Sequence, residues 1–154
     1  MGRKMRSTIS GKTERGATLV EFAIGATVFF TVMFAIVEFG RMLYVHNALS
    51  DAARRGARYA VVNTEANKEN VKKMAVYGNT NGGTQQPLVD HLTTDNVAVT
   101  YSAAPNNFGV NKGTVTVQIQ NYDFNFSIPL VGGKLRMPKY STTLTGENAG
   151  VVIP

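Results

Sequence analysis

Residues 16–62 read GATLVEFAIGATVFFTVMFAIVEFGRMLYVHNALSDAARRGARYAVV, and the fold follows from how this stretch is read. From Ala17 to Val37 the only charge is Glu21, and ~20 apolar helical residues cross a hydrocarbon core of ~30 Å. The stretch is therefore a candidate membrane span, over about residues 17–39. No proline precedes Pro87, so nothing covalent breaks a helix in the first half of the chain. Beyond the span Leu43, Tyr44, Leu49, Ala52, Ala53, Gly56 and Ala60 recur at three- and four-residue steps, the period of one helix face. A single helix over 17–62 would be ~70 Å long at ~1.5 Å per residue, with the part over 40–62 outside the bilayer.

A carboxylate within an apolar span is costly in lipid and marks a partner. A cut between Gly16 and Ala17 would supply one, because the freed α-amino group of Ala17 lies one helical turn from Glu21. That cation would serve the same chain's carboxylate or a neighbour's. Ala23, Ala26 and Thr27 allow close approach of a second helix in lipid. Glu38 and Arg41 stand three apart at the outer end of the span and form an ion pair within the helix or between subunits. Ala52, Gly56 and Ala60 make a small-residue line for helix packing, on which another helix or the chain's own globular part can lie.

The order glycine, small residue, three positions, glutamate, apolar run, here Gly16, Ala17 and Glu21, resembles the prepilin processing motif of type IV pilins and pseudopilins. Over residues 15–61 the chain is similar to the TadE-like pseudopilins, or minor pilins, of the tight-adherence (Flp) pilus. The residues that carry this are the cut site before Ala17, Glu21, the run Glu38-Phe39-Gly40-Arg41, and Ala52 to Ala60 (AARRGARYA). The resemblance implies processing by a prepilin peptidase and residence in the bacterial cytoplasmic (inner) membrane or in a surface pilus. It also implies work beside other pilins and pseudopilins, a pilus assembly platform and an ATPase, with homo- or hetero-oligomers formed through the N-terminal helix.

Composition narrows the alternatives. The whole chain carries a net charge of +6, which would invite nucleic acid. Most of the excess is Arg3, Lys4, Arg6, Lys12 and Arg15 in the leader, and a chain beginning at Ala17 would carry only +2. Nucleic acid is therefore a minor reading, confined to Arg54, Arg55 and Arg58. The leader, residues 1–16, is polar, basic and without apolar periodicity, and reads as disordered. Its charge favours a cytoplasmic N-terminus and an extracytoplasmic C-terminal domain in a single-pass topology, although Arg41, Arg54, Arg55 and Arg58 on the other flank dilute the rule. An ordinary secretory signal would have a shorter apolar core and a small-x-small cut site. With no cysteine in the chain, stability rests on packing rather than disulfides.

Residues 63–154 read as one extracytoplasmic α+β domain. Glu65 to Tyr77 is a second short helix with Val71, Met74, Ala75 and Tyr77 inward, closed by the glycine and asparagine cluster from Gly78 to Thr84. After Asn96 the period becomes two: Val97, Val99 and Tyr101, then Val115, Val117 and Ile119, then Phe124, Phe126 and Ile128, with a fourth candidate over Lys139 to Thr145. Turns are expected at Asn106 to Gly109, at Asn121-Tyr122, and at Gly132-Gly133, with Pro129 ending the third strand. The expectation is a small antiparallel meander packed on the long helix, a pilin-like α+β fold.

Catalytic chemistry finds little support. His46 and Ser50 share a helix face but no pocket that would orient a base. Asp90, His91 and Asp95 lack further ligands at metal-binding spacing, and no glycine motif joins a strand to a helix as phosphate binding requires. No catalytic residue, metal or cofactor is assigned. The reading is a processed structural pilin-like subunit; the alternatives are a major filament-forming pilin and an uncleaved membrane-anchored binding domain.

Overall fold

The computed structural model describes residues 11–81, 86–102, 111–127 and 133–147. It divides into two units at Phe39/Gly40, so residues 40–61 belong with the globular part. In the first unit helix α1, Gly11–Val61, begins earlier than Ala17. The leader's Gly11 to Arg15 is helical rather than irregular, because Lys, Glu and Arg are good helix formers and Gly16 makes no demand that interrupts them. The rest of the leader lies outside the described residues.

The second unit is built on the end of α1. Its inward stripe runs through Val45, Leu49, Ala52, Ala53, Ala57 and Ala60, all buried. Leu43 and Tyr44, expected on that stripe, are exposed; Met42 and Val45 take the inner positions, since the phase set by Leu49 and Ala52 puts Val45 one turn back. The second helix is split. Glu65–Asn67 is one 3₁₀ turn, and α2 is Lys68–Tyr77, burying Val71, Ala75 and Val76. Val76 replaces Met74 as a core residue, and Met74 and Tyr77 are only half-buried. Gly78 closes α2 at φ +76°, donating its N–H to Met74 O at 3.1 Å, a left-handed cap that disfavours any β-carbon.

Five strands follow: β1 Val97–Ser102, β2 Asn111–Ile119, β3 Asp123–Asn125, β4 Lys134–Arg136 and β5 Tyr140–Glu147. They do not form one meander. β1, β2 and β5 make an antiparallel sheet in that order, and β3 pairs only with β4. Val97, Val99 and Tyr101 oppose Ile119, Val117 and Val115, which in turn oppose Tyr140, Thr142 and Leu144; this row faces the helices.

The third strand leaves the sheet because the exit from β2 is clamped. The Asn96 side-chain amide donates to Gln120 O at 3.2 Å and Asn121 O at 2.9 Å, and Gln120 N–H returns to Asn96 O at 2.8 Å. Asn121 then takes a left-handed conformation, φ 57°, that asparagine tolerates. The chain turns off the sheet and delivers Tyr122 and Phe124 into the core. Phe126 follows β3 and stacks edge-on at 5.3 Å from Phe124. Ile128, Pro129 and the turn at Asn106 to Gly109 lie outside the described residues.

Candidate functional site

Within the first unit, an 18-residue window of α1 has a mean hydropathy of 2.2 with none of it buried, length and composition enough to cross a membrane. Its hydroxyls are satisfied inside the helix. Thr27 Oγ1 donates to Ala23 O at 2.8 Å and Thr31 Oγ1 to Thr27 O at 2.7 Å, so neither leaves an unpaired donor on the apolar surface. Phe30 meets Phe29 edge-on and stacks with Phe34 along the surface. Gly16, Ala17 and Glu21 are exposed and lie on consecutive turns of unbroken helix. A β-carbon at Gly16 would meet nothing within 4 Å, and Gly25 and Gly40 are equally open. A helical glycine costs about 1 kcal/mol relative to alanine, and the chain's own packing gives no reason for these three.

Glu38, at the close of the apolar run, is only 7% exposed. In the second unit Arg41 donates to Asn125 O of β3, and its guanidinium sits 4.3 Å above the Phe124 ring, a cation–π geometry. Arg41, which spacing alone offers as a partner for Glu38, thus has a long-range role within the second unit that spacing does not reveal.

Ala52, Gly56 and Ala60 are buried under the chain's own domain. A β-carbon on Gly56 would come 3.0 Å from Ala75 Cβ and 3.1 Å from Val117 Cγ1. The small-residue line lets α2 and β2 approach the α1 backbone together.

The three arginines separate. Arg55 is half-buried and donates through Nε to Met74 O at 3.0 Å and through a terminal nitrogen to Ala75 O at 2.6 Å, satisfying carbonyls at the end of α2 where a cation also meets the helix dipole. Burial lowers its pKa below the ordinary arginine value, opposed by nearby Asp51. Arg54 lies 3.7 Å from Asp51 in an exposed pair, and Arg58 is exposed. Arg55 is thus withdrawn from the cluster, and Arg54 and Arg58 remain exposed one turn apart.

His46 pairs not with Ser50 but with the Tyr140 hydroxyl, 2.8 Å from Nδ1. Asp90, His91 and Asp95 are exposed, and among the described residues no group of three ligands stands ready for a metal. A cleft of about 290 Å³ is lined by Tyr44, Asn47, Ala48, Asp51, Arg55, Leu88 and Val89. Its arginine is committed to carbonyls, and it brings together no nucleophile and base. The roles of Arg41, Arg55 and Asn96 were hidden from the sequence because each joins residues 19 to 84 positions apart.

Compared with known proteins, residues 16–58 match the family model described as TadE-like protein. The matched stretch lies wholly within α1 and covers well under half of the chain. Neither the curated proteins nor the solved structures returned a match.

Proposed function

From the premise that residues 16–58 are TadE-like, a pilin-related stretch, we propose that the chain is a minor pilin of a Tad (Flp-type) pilus assembly system. In this reading it is anchored in the cytoplasmic membrane by α1, cut between Gly16 and Ala17 by a prepilin peptidase, and acts as a structural subunit rather than an enzyme. The other pilins, the assembly platform and the ATPase are its expected partners.

The family match carries the reading, and Gly16 supports it. A glycine inside a helix, exposed and free of packing contacts, answers to something outside the folded chain, and a peptidase that must reach the backbone is such a thing. After the cut, the Ala17 amine and the Glu21 carboxylate lie one turn apart on one face. Pairing them, within one chain or across two, lowers the cost of placing charge in lipid and sets subunit register.

Intact-mass analysis of the protein from its native membrane tests the cut: the expected species starts at Ala17, and a working protein that retains residues 1–16 overturns the reading in favour of an uncleaved anchored domain. Glu21→Ala is expected to insert normally while losing most of its recruitment to the assembly site, read by co-purification with partner pilins. Abundance in sheared surface filaments separates a major pilin from a minor one.

A further inference from the structure

We propose that the β3–β4 hairpin and the turn before β5 form a membrane-surface contact that binds the anionic headgroups of the bilayer in which α1 is anchored; the proposal rests on that anchored reading. Two hydrogen bonds fix where the sheet lies along the second half of α1. Tyr140, first residue of β5, meets His46, and Tyr101 in β1 reaches Ala60 O at 3.4 Å. The hairpin is lower still, since Asn125 of β3 receives the Arg41 guanidinium. Arg41 is two residues past Phe39, where the apolar run ends, while Ala60 is ~30 Å further along the helix at ~1.5 Å per residue. The hairpin therefore belongs to the end of the domain from which the chain enters the bilayer.

Its surface suits that place. Lys134, Leu135 and Arg136 are all exposed, so β4 buries no face. Leu135 is 42% exposed, opposite Phe124 in the pairing register. Arg136 lies 3.1 Å from Asp123. Among the described residues no carboxylate pairs with Lys134 or with exposed Lys139. At the opposite end Lys68 pairs with Glu65 and Lys72 with Glu69, while Arg58 and Lys73 meet no carboxylate among the described residues. Two ammonium groups without a carboxylate partner among the described residues, flanking an exposed leucine at the level of the headgroups, match an anionic lipid surface by charge and by apolar insertion.

The chain has no cysteine, so a single Leu135→Cys in the full-length protein takes one fluorophore. The labelled protein is reconstituted into vesicles of phosphatidylcholine alone or mixed with phosphatidylglycerol, with a nitroxide on the lipid headgroup as quencher. Flotation comes first: a chain that does not travel with the vesicles refutes the anchored reading itself. For a chain that floats, quenching is expected to be strong in the phosphatidylglycerol vesicles and weak in phosphatidylcholine. Lys134→Glu with Lys139→Glu is expected to lower the docked-to-free ratio on the order of tenfold. Both lysines are exposed, and unchanged circular dichroism checks that the double variant is folded. A label at Glu65→Cys is expected to stay unquenched in both. Equal quenching in the two lipids, indifference to the lysine changes, or quenching only by a labelled second copy of the chain overturns the proposal.

Discussion

Gly25 and Gly56 belong to one helix and have opposite surroundings. A β-carbon on Gly25 would meet nothing, whereas on Gly56 it would press on Ala75 and Val117. The contrast runs through both regions. Between Val45 and Ala60 the buried small and apolar side chains are accounted for by the chain's own core. In residues 16–39 Leu19, Phe22, Ile24, Phe29 and Ile36 are all more than 60% exposed, and nothing in their own unit covers them. One half of α1 is accounted for by contacts within the chain, and the other is exposed, apolar and long enough to cross a membrane.

The sharpest way to break this contrast is to delete one ring on each side. Phe124 is 1% exposed and holds Arg41 over its face; Phe124→Ala is expected to cost about 3–5 kcal/mol of domain stability. Phe29→Ala, at 63% exposure, is expected to leave unfolding of the domain unchanged. Denaturant titration in detergent, followed by tyrosine fluorescence since the chain has no tryptophan, measures both. Equal losses would mean that the apolar half packs on the domain.

Next come the glycines. Gly56→Leu is expected to cost about 2–3 kcal/mol, because Ala75 Cβ and Val117 Cγ1 must both give way. Gly25→Leu is expected to leave the same transition in place and to change only helix–helix association in the membrane, read by cross-linking in vesicles. A stable Gly56→Leu protein would show that α2 can slide off α1, and the small-residue line would lose its role inside the chain.

How much of this was legible follows the same division. The apolar run, the continuous helix and the alternation in Val97–Tyr101 and Val115–Ile119 are local patterns, and periodicity reports them directly. The sheet order was not legible. Alternation says which residues face inward but not which strand pairs with which, and the choice of β5 over β3 beside β2 hangs on Asn96 and the left-handed Asn121. The second arginine of the 54–58 cluster looked like surface charge for the same reason: its two carbonyl partners lie 19 and 20 residues away. The candidate site of Gly16, Ala17 and Glu21 is a local motif, and the structure adds that all three are exposed on a continuous helix.

That arginine gives a smaller contrast within three residues. Arg55→Ala removes two charge-assisted bonds to the last turn of α2 and is expected to cost about 1.5–3 kcal/mol. Arg54→Ala, losing only an exposed pair at 3.7 Å, is expected to cost well under about 1 kcal/mol. Near-equal values from the two would return the cluster to a plain solvated surface.

The smallest effect lies at alkaline pH and belongs wholly to the globular region. Burial raises the pKa of Tyr101, Tyr122 and Tyr140 above the ordinary tyrosine value, with Glu65 adding to the shift at Tyr101 and Asp90 at Tyr122. The folded state thus holds these phenolic protons more tightly than the unfolded state does. Their contribution is complete below the unfolded pKa of about 10 and is lost as pH rises through the folded values. Arg55 shifts the opposite way, but its ordinary value lies above this window. Stability is therefore expected to be flat from about pH 8 and to fall above about pH 10. Tyr122→Phe removes the bond from its hydroxyl to Asp90 O at 2.7 Å, costing about 1 kcal/mol at neutral pH, and is expected to make the alkaline fall shallower. A variant whose alkaline slope equals that of the parent would show that the Tyr122 proton is held no more tightly in the fold than out of it.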